Sequence, residues 1–148
     1  MLDVAVQFPE TLKKYTGVIE NFKGARAAHD ATMSLADLYF IHGNPSVAAT
    51  YYLNATKSAS SGLEKALSFS GLGYSLENAG NPKDALSNFE KALNLGEAGI
   101  KGDVLLAIAR CYEALHDTTH ARSTYDQILS QMPDTDAAKT AELRKAKL

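Results

Sequence analysis

His116 and His120 stand four residues apart, a spacing that can bring two imidazoles to one face of a helix around a metal ion. A zinc-type site needs three or four converging ligands, and only Asp117 lies beside them. A turn is predicted between the two histidines, so they do not share a helix, and capping and surface roles are expected instead. Cys111 is the single cysteine, which excludes an intramolecular disulfide. It falls in the apolar stretch Val104 to Leu115 and reads as a small buried hydrophobe rather than a reactive thiol. Gly71-Leu72-Gly73 lacks the third glycine, the preceding strand and the downstream acid of a nucleotide loop. Asn54-Ala55-Thr56 is a formal glycosylation sequon placed in mid-helix. No Ser/His/Asp, Cys/His or paired-carboxylate arrangement is readable. The expectation is a protein with no catalytic, cofactor-binding or metal-binding residues, and not an enzyme.

The elements that carry these residues repeat. Leu35, Ala36, Tyr39, Gly43, Ala48, Tyr52 and Ala55 recur as Leu72, Gly73, Leu76, Gly80, Ala85, Phe89 and Ala92. A weaker copy follows as Ile108, Ala109, Tyr112, His116, Ala121, Tyr125 and Ile128. The matched alanines are 37 and then 36 residues apart. A period of that size, with helical spacing inside each unit, signals an array of helical hairpins. No single hairpin can bury its own apolar face, so neighbours must stabilise one another.

The turns follow from residue type. His42-Gly43-Asn44-Pro45 and Ala79-Gly80-Asn81-Pro82 are near copies. Glycine supplies the left-handed residue that ends a helix, asparagine offers an N-cap oxygen, and proline fits the first helical position. A link this short makes the flanking helices antiparallel. Leu115-His116-Asp117-Thr118-Thr119 lacks both Gly and Pro, so the third turn is expected in a less favourable conformation, with Asp117 or Thr118 as cap. The predicted helices are 8–21, 25–42, 45–59, 62–79, 82–94, 99–115, 118–131 and 135–147. Ala36, Gly73, Ala109, Ala48, Ala85 and Ala121 are expected where paired helices approach closely. Tyr52, Phe89 and Tyr125 are expected to fill the space between hairpins.

The chain has 148 residues, 45% of them hydrophobic and 22% charged, with a formal net charge of −2. That describes a globular domain without a basic field for nucleic acid. Lys139, Arg144, Lys145 and Lys147 make the tail modestly basic, with Glu142 among them, and read as a solvated helix. No stretch is long and apolar enough to span a bilayer, so direct membrane insertion is not expected. Met1-Leu2-Asp3-Val4 is neither a signal peptide nor a transit segment. The expected location is cytoplasmic for a complete chain. It is periplasmic for a fragment of an anchored protein. Cysteine poverty fits both.

These residues resemble the tetratricopeptide repeat (TPR) family across Ala25 to Pro133. The family's closing proline is present only as Pro133, and Thr32, Phe69 and Leu105 replace its leading tryptophan. Tyr15 lies 37 residues before Tyr52, so 8–22 resembles the second helix of an incomplete repeat. The expected organisation is one domain over 1–148: a partial repeat at 8–22, repeats at 25–60, 62–97 and 99–133, and a capping helix at 135–147. Tyr15, Val18, Ile19 and Phe22, with Ala36-Asp37-Leu38-Tyr39 and Tyr125, Ile128, Leu129 and Pro133, are similar to bacterial cell-envelope TPR proteins. Those include translocon-associated and outer-membrane-assembly helpers.

The resemblance implies an all-α, right-handed superhelix of stacked hairpins whose first helices line a concave groove for a peptide or helix of another protein. Helical spacing places Met33, Asp37 and Phe40 from the first copy on that face. Ser70, Tyr74, Glu77 and Asn78 come from the second, and Leu106, Arg110 and Glu113 from the third. Asp37, Tyr74 and Arg110 are equivalent and should form a ladder. Tyr74 and Arg110 are anchors in one reading. In the other they are ordinary surface residues, with Arg110 paired to Asp37, Glu113 or solvent. Carboxylate-clamp TPR domains resemble one another in placing Lys and Asn along the groove, where this chain has Asp37 and Tyr74. Chaperone-tail binding of that type is therefore not expected. The expected role is a scaffold or assembly factor without cofactors. The alternative is a self-association module that forms a homodimer through Tyr15, Val18, Ile19 and Phe22.

Overall fold

The computed structural model describes residues 3–148; Met1 and Leu2, the first residues of the expected domain, lie outside them. The described elements are all helices: α1 (Val4–Gln7), α2 (Pro9–Asn21), α3 (Arg26–Ile41), α4 (Pro45–Ser58), α5 (Gly62–Asn78), α6 (Pro82–Asn94), α7 (Ala98–Ala114), α8 (Thr118–Gln131) and α9 (Asp136–Lys145). Each packs on its neighbours in the chain. The first helices α3, α5 and α7 also touch one another in order, and α9 touches α7. The result is an α-solenoid.

The helix ends fall within two residues of those predicted from α2 onward. The difference lies at the start. Val4–Gln7 forms a separate turn of helix, with Asp3 Oδ1 accepting from the Ala5 N–H at 3.0 Å. Phe8 leaves the helical region because proline follows it, and Pro9 opens α2 at its first position. The Phe8 ring then meets His42 edge-on at 4.7 Å and ties this start to the end of α3.

The three turns within the hairpins share one backbone. Asn44, Asn81 and Asp117 each donate a backbone N–H to the carbonyl five residues back, on Tyr39, Leu76 and Tyr112, all at 2.9 Å. That closure needs a left-handed residue just before the donor. Gly43 (φ +77°) and Gly80 (φ +79°) supply it at no steric cost, whereas His116 (φ +59°) supplies it against its own Cβ. The caps differ in detail. Asn81 Oδ1 accepts from the Asp84 N–H at 3.3 Å and Asp117 Oδ1 from the His120 N–H at 3.1 Å. The Asn44 side chain makes no such cap, and its Nδ2 donates to the His42 carbonyl at 3.1 Å.

Small residues set the helix contacts as predicted: Ala36, Ala48, Ala85, Ala109 and Ala121 are completely buried. Tyr52, Phe89 and Tyr125 fill the spaces beside them. A Cβ on Gly73 would lie 2.6 Å from Cε1 of Phe89, and one on Gly71 would run into the Tyr52 ring. Both glycines of the 71–73 segment are therefore seats for aromatic rings. The larger core cluster runs from Ala85 to Ala141, and a smaller one joins Ala36, Ala48, Tyr52 and Leu72. α7 is the most deeply buried element, with Val104 to Ala109 and Cys111 inside, whereas no residue of α2 is fully buried.

Candidate functional site

Each hairpin contributes its first helix to a common face. Asp37 and Asn78 are exposed there, and Met33, Phe40, Tyr74, Glu77, Arg110 and Glu113 are half-buried. Leu106 departs from its expected place. It is only 9% exposed and belongs to the core cluster. Ser70, at the same register, is also buried, and its hydroxyl has no hydrogen-bond partner.

Charge on this face is organised by a repeated ion pair. Arg110 Nε and Nη2 donate to the two carboxylate oxygens of Glu77, each at 2.8 Å. One repeat further on, Arg144 Nη2 donates to Glu113 Oε2 at 2.6 Å. Glu77 and Glu113 are 36 residues apart, so the second pair copies the first. Planar guanidinium–carboxylate contacts of this kind fix orientation as well as charge. The bond to Glu77 is the largest influence on Arg110 and raises its pKa against the effect of burial. In Glu113, burial works to raise the pKa. The hydrogen bonds from Arg144 and Tyr125 overcome it and hold the carboxyl below its ordinary range.

Aromatic residues complete the ladder. The Tyr74 ring meets Phe89 edge-on at 4.9 Å, and the Arg110 guanidinium lies over its face at 5.9 Å. The Tyr52 hydroxyl donates to Asp37 and the Tyr125 hydroxyl to Glu113 Oε1, the latter at 2.5 Å. Burial first, then the hydrogen bond to Glu113, pushes the Tyr125 phenol up to about 12. Asp37, Tyr74 and Arg110 thus hold equivalent positions, but each is bonded to a neighbour rather than to the others, apart from the Arg110–Tyr74 contact. The alternative partners of Arg110 weighed from sequence, Asp37 and Glu113, are replaced by Glu77. Arg144 likewise is no solvated tail cation. It is anchored on α7, while Lys145 pairs with Asp126 and Lys139 with Asp136 at 2.9 Å.

The residues with chemical potential sit apart. His116 occupies the turn and His120 lies on α8, its Nδ1 2.7 Å from Asp117 Oδ2. Among the described residues no group of three or more His, Cys, Asp or Glu is placed to hold a metal ion. Burial pushes the Cys111 thiol up to about 12. No helix among the described residues is long and apolar enough to cross a membrane.

The fold and its repeated pairs define a helical-hairpin repeat protein. A tetratricopeptide-repeat family model matches residues 78–147, from the end of α5 to the end of the chain's last helix and beyond it. Over nearly the whole length, the chain is similar to a crystal structure of nearly identical TPR-like repeats from a Podosopora anserina protein named as a kinesin light chain. The TM-score is 0.72 at 11% identity, covering 99% of this chain and 87% of that one, which shows a shared fold. No curated protein matches the chain. Residues 78–147 thus match the tetratricopeptide-repeat family, and the whole chain shares the fold of TPR-like repeats, a fold that in general mediates protein–protein interaction.

Proposed function

We propose that the chain is one TPR domain that binds a peptide or helix of a partner protein on its first-helix face, acting as a scaffold or assembly factor. The domain comprises the partial repeat 8–22, the repeats 25–60, 62–97 and 99–133, and the capping helix 135–147. The observation that carries the reading is the ladder on α5, α7 and α9. Glu77–Arg110 and Glu113–Arg144 hold successive first helices in fixed register, which gives a ligand a pre-organised surface. Met33, Phe40 and Tyr74 supply apolar contact area beside exposed Asp37 and Asn78. Leu106 supports that surface from beneath. The test is an in-cell crosslinking pull-down comparing wild type with an Ile41→Arg/Asn78→Arg variant of verified helicity. Asn78 is exposed on this face, and Ile41, 37 residues earlier and likewise exposed, holds the same register on α3. A specific partner captured by wild type and lost by the variant supports the groove. The same partner captured by both removes it.

One observation favours a second reading, self-association through the N-terminal helix α2. Val6 is 74% exposed and Phe22 57%, and α2 buries no residue completely. In that reading the α1–α2 end stacks on a second copy. Sedimentation of wild type against Tyr15→Asp and Phe22→Asp decides it: dimer lost in the variants supports self-association, and a monomeric wild type excludes it.

A further inference from the structure

The charges on the first-helix face do not balance, and the imbalance specifies a ligand. Asp30, Leu67 and Asp103 stand 37 and 36 residues apart and so occupy one register of α3, α5 and α7. Both aspartates are exposed and Leu67 is 40% exposed. Helices in contact lie about 8–10 Å apart, so the leucine is flanked by an acid on either side. Between α3 and α5 a cleft of about 610 Å³ opens, with Met33, Leu63 and Leu67 as its apolar lining and Arg26, His29, Asp30, Ser60, Ser61 and Glu64 as its polar lining. Leu63, at 47%, is as exposed as Leu67.

Among the described residues, the cations of this face are already committed. Arg26 lies 3.4 Å from Glu64, Arg110 is held by Glu77, and Arg144 by Glu113. Lys65 is two residues from both Leu63 and Leu67, which turns it about 200° around α5. Lys101 lines a separate cavity between α6, α7 and α8. Asp30, at 3.8 Å from the shared Arg26, Asp37 and Asp103 therefore remain in excess. Among the described residues, Asp37 receives a neutral hydroxyl, from Tyr52. The protein as a whole carries a net charge of only −2, so the surplus is concentrated on this face.

Resting on the groove reading above, we infer that the occupant is a cationic amphipathic segment. Its leucine-type side chains enter the Met33–Leu63–Leu67 cleft, and its Lys or Arg side chains meet Asp30, Asp37 and Asp103. Complementary charge of this kind raises the association rate and rejects acidic competitors.

Three fluorescein-labelled amphipathic peptides of equal length test this: one built of Leu and Lys, one of Leu and Glu, one of Leu and Gln. Binding is read by anisotropy at low and physiological ionic strength. The Leu/Lys peptide is expected to bind, more weakly at the higher salt. Its affinity should fall about fivefold with Asp30→Asn/Asp103→Asn, as two exposed charge contacts would give, and also fall with Leu67→Gln. The Leu/Glu peptide should not bind. Leu/Lys binding unchanged by both variants overturns the inference as non-specific attraction. Leu/Gln binding as tight as Leu/Lys, and lost with Leu67→Gln, overturns the charge inference while leaving the groove reading intact. Failure of all three peptides overturns the inference, and the pull-down then decides the groove separately.

Discussion

Within the hairpin turns, His116 holds a glycine's place. It takes φ +59° in a turn whose two counterparts use Gly43 and Gly80. Removing its Cβ relieves that conformation but gives the unfolded chain more freedom, so His116→Gly should stabilise by about 0.5–1 kcal/mol. Urea titration measures it directly. Gly73 runs the other way. Its missing side chain leaves room for the Phe89 ring, and Gly73→Ala should cost about 1–3 kcal/mol through overpacking. Glu113 adds a pH dependence. Its carboxyl titrates below the ordinary range in the folded state, because the bonds from Arg144 and Tyr125 outweigh burial. The depressed pKa contributes stability above the unfolded glutamate's pKa, and that contribution disappears as pH falls through the folded value. Glu113→Gln should therefore be less stable than wild type by about 0.5–1 kcal/mol near neutral pH, after allowing for the partial exposure of Arg144. The gap should close in acid. Denaturation midpoints for both proteins across that range check the sign. The turn at His116 was readable in the sequence because it lacks the Gly and Pro that the two preceding copies have. The seat at Gly71 was not, because nothing local shows that Tyr52 arrives there from another helix.

At the scale of elements, α9 illustrates what spacing alone conveys and what it leaves out. Its position after Pro133 and its charged composition mark a terminal helix. Its docking depends on Arg144, whose partner Glu113 lies on another helix 31 residues away. Pairs inside a helix follow the 3.6 period, but a pair between helices depends on stagger and side-chain reach. For the same reason Arg110 finds Glu77, and Leu106 lies in the core cluster. α1 escaped notice because four residues are too few to show a period, although Pro9 marked where the next helix begins. Arg144→Ala should loosen α9 selectively. Hydrogen exchange in 136–145 should rise several-fold while α5 stays protected, since repeat stability is carried by nearest neighbours.

Across the whole molecule, burial is uneven. α7 lies at the centre of the larger core, and α2 has no fully buried residue. Native-state hydrogen exchange should show α2 opening at a lower free energy than α7. Cys111, completely buried on α7, should react with a thiol reagent only as the core opens, in step with α7 exchange rather than α2 exchange. The all-helical class and the small-residue contacts were legible because each rests on a local pattern repeated three times. The distribution of charge over the first-helix face was not, because it emerges only when helices from separate hairpins are set side by side.

The central claim is that this face is where a partner binds. Site-specific photo-crosslinking tests it most directly, with the reactive side chain placed at Asn78 on the first-helix face or at Glu90 on the exposed side of α6. The account predicts a discrete partner adduct from position 78 and none from position 90. An adduct from position 90 alone would contradict it and move the binding surface to the second helices.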